Sequence, residues 1–231
     1  EGVEYVFGYP GGAVLHIYDA MFRQDVIKHF LVRHEQAAVH MADAYSRSTG
    51  KVGVVLVTAG PGATNCITGI ATAYMDSIPL VVLSGQVPTN WIGDDAFQET
   101  DVTGATLPVT KHNYLVTDAS ELAYTIKEAF YIARTGRPGP VLIDVPKDVQ
   151  NQVVEFVYPE GEIRLPGYQP PSAALEEQID AALELIHNAE RPVILGGHGI
   201  TLSGANNEAR EFAEICNIPY ITLEKNTSRC N

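Results

Sequence analysis

Between residues 3 and 145, short β-rich runs alternate with segments of helical periodicity, and this alternation constrains the fold more than any other feature of the chain. Parallel strands cannot be joined by a tight turn and need a crossover, which a helix supplies, so strand–helix–strand repetition points to a parallel sheet. The runs 3–7, 26–32, 52–58, 80–84 and 141–145 read as strands, and 13–23, 35–48, 63–76 and 121–133 as helices. The expected architecture is α/β, a parallel sheet covered by helices on both faces. The helix over 121–133 is the plainest: Leu122, Ile126, Ala129, Phe130 and Ala133 recur at three-to-four spacing, Asp118 and Glu121 are spaced for a capping box, and Gly136 follows the end.

Prolines 146, 159, 166, 170 and 171 interrupt the pattern, and no helical period survives among them. Residues 151–171 therefore read as a linker between a first domain over 1–150 and a second over 172–231. In the second, Leu175, Ile179, Ala182, Leu183 and Ile186 mark an amphipathic helix, 192–196 a buried strand, 207–216 another helix and 220–223 another strand. About 60 residues is close to the lower size limit for an independent domain, so this second α/β domain is expected to be truncated, with apolar faces partly uncovered.

Composition narrows the function classes. The 231 residues carry 28 acidic side chains against 15 Lys and Arg, a formal net charge of −13, with no dense basic run. Nothing in that balance attracts a phosphate backbone or an anionic membrane surface, which argues against nucleic acid as a partner. With 45% hydrophobic residues the chain has the means to build a core. Its three cysteines, Cys66, Cys216 and Cys230, form neither a disulfide framework nor a zinc knuckle, so a reducing cytoplasm is expected. No apolar run reaches the roughly 18 to 20 residues that span a bilayer. The chain starts at Glu1 without Met, from which a lost upstream segment is expected.

Two strand-to-helix junctions are glycine-rich: Gly8-Tyr9-Pro10-Gly11-Gly12-Ala13 and Ala59-Gly60-Pro61-Gly62-Ala63-Thr64-Asn65. Glycine there lets the backbone approach a ligand, and the first N–H groups of the next helix favour polar acceptors. The bland alternative is a pair of tight turns; two of them on one sheet edge favour a ligand. Neither is a dinucleotide fingerprint, and no Gly-Lys-Ser/Thr phosphate loop occurs. Glu35 opens a helix on that same edge, where the bland reading is a carboxylate that complements the helix dipole. His34 and His40 lack zinc-protease spacing, which excludes a metal reading. A long connection from Ser84 to Glu99 carries Trp91, paired Asp94 and Asp95, and Phe97-Gln98, and long loops at the carboxyl edge of a parallel sheet often form sites.

Six motifs in order carry a family resemblance: Gly8-Tyr9-Pro10-Gly11-Gly12-Ala13, Arg33-His34-Glu35-Gln36-Ala37-Ala38, Thr58-Ala59-Gly60-Pro61-Gly62-Ala63-Thr64-Asn65, Ala96-Phe97-Gln98-Glu99-Thr100-Asp101, Thr110-Lys111-His112-Asn113 and Gly136-Arg137-Pro138-Gly139-Pro140. From Glu1 to about Leu223 the chain resembles the large catalytic subunit of acetolactate synthase, a thiamine diphosphate enzyme that condenses pyruvate with a second 2-ketoacid, pyruvate or 2-ketobutyrate, losing carbon dioxide.

The resemblance implies a pyrimidine-binding first domain and the start of a central domain that holds FAD. Glu35 would face N1′ of the aminopyrimidine and share its proton. A helix N-terminus favours the bare anion, so a proton-sharing Glu35 is expected to be buried in a dry, apolar pocket. Tyr9, Pro61 and Asn65 would line the pyrimidine pocket, Gly12 and Gln98 would lie near the reacting carbon, and Phe97 and Lys111 would sit on the wall of the substrate channel. Arg137, Gly197, Gly199, Thr222 and Leu223 would contact FAD. Magnesium and the diphosphate clamp belong to a third domain that the 231 residues do not contain, so the chain alone is expected to be inactive. The family assembles as homodimers or homotetramers with a small regulatory subunit.

Two departures stand out. His198 replaces the middle glycine of the family's FAD-facing turn, and residues 224–231 do not resemble the family. The alternatives are another thiamine diphosphate enzyme (a glyoxylate carboligase, or a pyruvate oxidase or decarboxylase), a non-catalytic assembly module, or an ordinary dinucleotide-binding protein.

Overall fold

β-branched runs punctuated by glycine and proline build β1 (Tyr5–Tyr9), α1 (Leu15–Phe22), β2 (Lys28–Leu31), α2 (Glu35–Thr49), β3 (Gly53–Val57), α3 (Pro61–Thr64), α4 (Ile67–Asp76) and β4 (Leu80–Gln86). There follow α5 (Val102–Thr106), β5 (His112–Leu115), α6 (Ala119–Arg134) and β6 (Pro140–Pro146), then α7 (Glu176–His187), β7 (Ile194–Gly196), α8 (His198–Ser203), α9 (Asn206–Cys216) and β8 (Tyr220–Thr222). The computed structural model describes residues 1–171 and 173–223, so the unusual 224–231 tail lies outside the described residues. Two compact units divide at Pro170 and Pro171.

The first unit is a six-stranded, all-parallel sheet in the order β2-β1-β3-β4-β6-β5. Phe7, Val55, Val57, Val82 and Leu142 bury one face against Ala38, Val39 and Ala42 of α2 and Ile70 and Ala73 of α4. Val6, Val54, Leu56, Val81, Val141 and Ile143 bury the other against Ala129, Phe130, Ile132 and Ala133 of α6, with Ile17, Tyr18 and Met21 of α1 packed alongside. Covering on both faces explains why β3, β4 and β6 are almost continuously apolar.

Local signals act as expected at several helix ends. The Asp118 carboxylate accepts from the Ser120 N–H to start α6, and His34 caps α2 by accepting the Gln36 N–H at Nδ1. Gly50 closes α2 in the left-handed conformation, φ 75°. The run over 13–23 begins as a 3-10 turn at Gly12–Val14, and the single helix expected over 63–76 is divided into α3 and α4.

Three elements escaped the sequence reading: β5, α5 and the six-residue α8. β5 is a four-residue edge strand, too short and too exposed to show a period, and it exists because it pairs with β6 from His112↔Val141 to Leu115↔Asp144. α5 is a five-residue helix started by Asp101, whose carboxylate accepts the Gly104 N–H at 2.8 Å.

The proline-rich stretch contains no helix beyond its short opening turn at Val149–Asn151, yet residues up to Pro170 count with the first unit. Lys127 Nζ donates to the carbonyls of Pro159 (2.7 Å) and Gly161 (2.6 Å), and the Tyr168 hydroxyl donates to Thr135 O (2.8 Å). In the second unit β7 and β8 pair in parallel, Gly196 opposite Thr222. Leu195 and Ile221 on these strands are exposed, as are Leu175, Ile179 and Leu183 along α7, so β7 is less buried than its sequence suggests.

Candidate functional site

Because β1 pairs with β3, the two glycine loops that follow them emerge side by side at the carboxyl edge. The chain passes from β1 to β2 through α1 on one face and from β2 to β3 through α2 on the other, which makes the β1–β3 gap the switch point of the sheet. Parallel sheets bind ligands at such points, where flanking connections leave in opposite directions and open a crevice.

The loops interlock through missing side chains. A Cβ at Gly11 would stand 2.5 Å from Thr58 Cβ, and one at Gly62 would stand 2.7 Å from Thr58 Cγ2. Thr58 Oγ1 accepts the Ala13 N–H at 3.4 Å, tying the first loop to the second. At Gly12, by contrast, a Cβ would meet nothing within 4 Å, so the backbone there borders open space.

Glu35 is the first residue of α2 and only 8% exposed. Its Oε2 accepts the Asn65 side-chain N–H at 2.9 Å, and its Oε1 lies 3.5 Å from where a Gly62 Cβ would be. A larger residue at 62 would crowd this carboxylate. The carboxylate is buried but its surroundings are not purely apolar, since Asn65 supplies a donor. Cys66, fully buried behind it, has its thiol pushed up, first by burial and then by the charge of Glu35.

Gln98 reaches this edge from the long connection after β4. Its carbonyl covers Gly60, where a Cβ would stand 2.2 Å away, and Gly60 itself takes φ 51°. Gln98 also has positive φ, 61°, a strained state for a residue with a side chain. Phe97 beside it is 89% exposed. The structure thus brings Glu35, Asn65, Pro61 and Gln98 to one edge, along with Tyr9, half-exposed at the end of β1, and Gly12.

Lys111 does not join them. It precedes β5 at the opposite, amino edge, where its Nζ donates to Ile132 O (2.5 Å), Thr135 O (2.6 Å) and the Tyr168 hydroxyl (2.7 Å) and lies 4.8 Å from the Tyr168 ring centre. It neutralises the carbonyl end of α6 from the amino edge, a helix-terminal tie apart from the cluster around Glu35. Among the described residues the lysine directly following a strand is Lys147, exposed after β6, whose N–H donates to Gln86 O at 3.1 Å.

Arg137 also lies at the amino edge, donating from Nε to Ser77 Oγ (2.7 Å) and from Nη2 to Met75 O (3.4 Å). In the second unit Gly197 caps α8, a Cβ on it would lie 3.9 Å from Leu223, and Leu223 N–H donates to Gly196 O at 3.0 Å. Gly197, Gly199, Thr222 and Leu223 therefore share the carboxyl edge of the small sheet, with open space at Gly199. The half-buried His198 opens α8 between the two glycines. The described residues contain no group of three or more His, Cys, Asp or Glu able to hold a metal ion, and no described helix is long and apolar enough to cross a membrane.

A polar cluster inside the sheet was missed altogether. Asp144 of β6 accepts from Ser84 Oγ (2.7 Å) and Gln86 Nε2 (2.8 Å) of β4. Its mark in the sequence is one acid inside the apolar run of β6.

Residues 1–105 match the family described as thiamine pyrophosphate enzyme, N-terminal TPP binding domain, and residues 179–226 match its central domain. The chain belongs to the thiamine pyrophosphate enzymes. Within that class it is similar to acetolactate synthase large subunits. It is 53% identical over 224 residues to that of Buchnera aphidicola subsp. Schizaphis graminum, covering 96% of this chain and 39% of the relative. It is 54% identical over 220 residues to that of Haemophilus influenzae (95% and 38%) and 53% identical over 223 residues to the isozyme 3 large subunit of Escherichia coli (96% and 39%). The chain spans about two fifths of the length of these curated relatives.

Proposed function

We propose that this chain is the cofactor-activating part of an acetolactate synthase large subunit, and that residues 1–150 hold the aminopyrimidine of thiamine diphosphate. The observation that carries the reading is Glu35: a carboxylate 8% exposed, at a helix start, with its Oε1 3.5 Å from where a Gly62 Cβ would stand. Gly12 borders open space beside these loops, where a flat ring can approach the backbone. When bound, thiamine diphosphate supplies the carbon nucleophile and the electron sink for decarboxylating a 2-ketoacid.

The chain's own residues do the rest. Glu35 holds a proton at the ring nitrogen, in a site where little water competes for it. Asn65 fixes the carboxylate orientation through its 2.9 Å hydrogen bond. Tyr9 and Pro61 border the ring, while Gln98 presents an amide to substrate oxygens and Phe97 an apolar wall. Pyruvate is the first substrate, and pyruvate or 2-ketobutyrate the second.

The second unit, which we take as the start of the central domain after a linker over 151–171, offers Gly197, Gly199, Thr222 and Leu223 for FAD. His198 adds a side chain to that turn. Magnesium would be held by residues beyond those described. The names of the relatives support a large subunit working with a small regulatory one; assembly as a homodimer or homotetramer is part of the same proposal, and the cysteine usage supports the cytoplasm.

The test is a product assay on the complete enzyme carrying this sequence. Acetolactate formed from pyruvate only with thiamine diphosphate, and lost in Glu35→Gln, supports the reading. Release of acetaldehyde or acetate instead, or carboligation of glyoxylate, overturns it in favour of another member of the class. The 231 residues alone, spanning two fifths of the relatives, are expected to make no acetolactate.

A further inference from the structure

Asp144 is 1% exposed, and on β6 it stands in register with Ser84 of β4 and Leu115 of β5. Charged groups are rarely placed so deep without a specific task, because removal from water costs several kcal/mol unless every lone pair is engaged. Ser84 Oγ and Gln86 Nε2 engage both of its oxygens, at 2.7 and 2.8 Å. The same Gln86 Nε2 donates a second bond to Thr100 O (2.9 Å), and Gln86 Oε1 accepts the Val87 N–H (2.9 Å).

One side chain therefore grips both ends of the long connection: Val87, where the chain leaves β4, and Thr100, where it returns. Between them lie Phe97 and Gln98, two residues before Thr100, with the Gln98 carbonyl resting on Gly60. The remaining ties of the connection are nearer the surface. Asp148 accepts from Thr89 N–H (3.0 Å) and Oγ1 (2.6 Å), and the Glu99 carboxylate gathers the N–H groups of Gly93 and Ala96. None of these reaches the Thr100 end from inside the sheet.

We propose that Asp144 and Gln86 are positioning residues: from the sheet interior they hold the 87–101 connection so that Gln98 stays against Gly60 at the carboxyl edge. Asp144 aims the Gln86 amide, and the Gln86 amide fixes the return of the chain. Gln98 occupies a strained left-handed conformation, which persists only where neighbouring structure over-determines it, and the bond at Thr100 is the nearest such constraint from the core. Burial pushes the Asp144 carboxyl up to about 7, against the lowering effect of its hydrogen bonds from Ser84 and Gln86, and the nearby charge of Asp101 acts in the same direction as burial. The consequence for catalysis rests on the reading of Gln98 as substrate-facing; the positioning itself does not.

Hydrogen exchange read by mass spectrometry on the 231-residue chain tests this without cofactor. In Gln86→Met, which keeps the volume and removes the donor, amides 88–101 are expected to exchange at least tenfold faster while β1 and β3 keep their protection. Asp144→Asn, whose amide can accept from Gln86 and donate to Ser84 Oγ, is expected to retain slow exchange in 88–101. Time-resolved anisotropy of Trp91, the single tryptophan of the chain, gives a second readout: faster local motion in Gln86→Met and none in Asp144→Asn. If Gln86→Met does not fold, Gln86→Asn, too short to reach Val87, Asp144 and Thr100 together, takes its place. Unchanged exchange in 88–101, or an increase shared equally with β1 and β3, overturns the proposal. In the complete enzyme the same substitution should raise KM for the 2-ketoacid and leave thiamine diphosphate activation unchanged. A complete enzyme that forms no acetolactate would sink the assigned reaction while leaving the exchange result standing.

Discussion

The Asn65 amide donates to the Glu35 carboxylate across 2.9 Å, joining the segment after β3 to the first turn of α2. Through this bond the glycine loop and the acid that it covers move as one unit. The bond engages Oε2, while Oε1 is the oxygen nearer Gly62.

Replacing Glu35 by Gln in the complete enzyme should reduce exchange of the thiamine diphosphate C2 proton by at least a hundredfold, since the amide cannot take up the ring proton. Asn65→Ala should cost less, about tenfold, because it disturbs only the orientation of the acid. Nuclear magnetic resonance of the exchanging proton measures both. Near-normal exchange in Glu35→Gln would remove the assignment.

Gly12 and Gly8 make a matched pair. A Cβ at Gly12 meets nothing, so Gly12→Ala should change the stability of the chain by less than about 1 kcal/mol. The methyl would nevertheless enter the space proposed for the reacting carbon, so kcat/KM of the complete enzyme should fall more than tenfold. A Cβ at Gly8 would stand 2.1 Å from Leu56 O and 2.7 Å from the Tyr18 hydroxyl, so Gly8→Ala should cost about 3 kcal/mol or more, read by urea denaturation.

Lys111→Met should destabilise the chain by about 1 to 3 kcal/mol, because two α6 carbonyls lose a charged donor. Tyr168→Phe should cost about 1 kcal/mol, and the double substitution less than the sum, since the two residues share one hydrogen bond. A strictly additive pair would show that the Lys111–Tyr168 contact contributes nothing.

Asp144 gives a pH dependence of definite sign. Its folded-state value, about 7, lies above the ordinary 3.8, so the folded chain keeps a proton that the unfolded chain has released. Stability from this group is therefore full below pH 4 and declines as pH rises toward 7, by on the order of a few kcal/mol. Asp144→Asn lacks that slope, so its stability relative to the parent should grow between pH 5 and 7 and level off above. Denaturant midpoints at each pH measure this, and parallel profiles would refute it.

The carboxyl-edge cluster was largely readable because its parts are local. Glycine followed by a helix start, an acid opening a helix, and a long connection after a strand are each written within a few residues. Which edge each lysine occupies was not readable. Lys111 and Lys147 both adjoin short β segments, one preceding β5 and the other following β6, and only the direction of the strand tells the two edges apart. The existence of β5 depends in turn on β6, about 30 residues later in the chain.

By itself the sequence determined the alternation of strand and helix, the glycine turns and the helix ends, because backbone sterics and the burial period act over neighbouring residues. The tertiary structure alone decided that Ser84 meets Asp144 across 60 positions, that the Gln98 carbonyl lies on Gly60, and that Lys111 ties the end of α6. Such pairings depend on strand order and register, which arise when distant segments compete for the same buried surface.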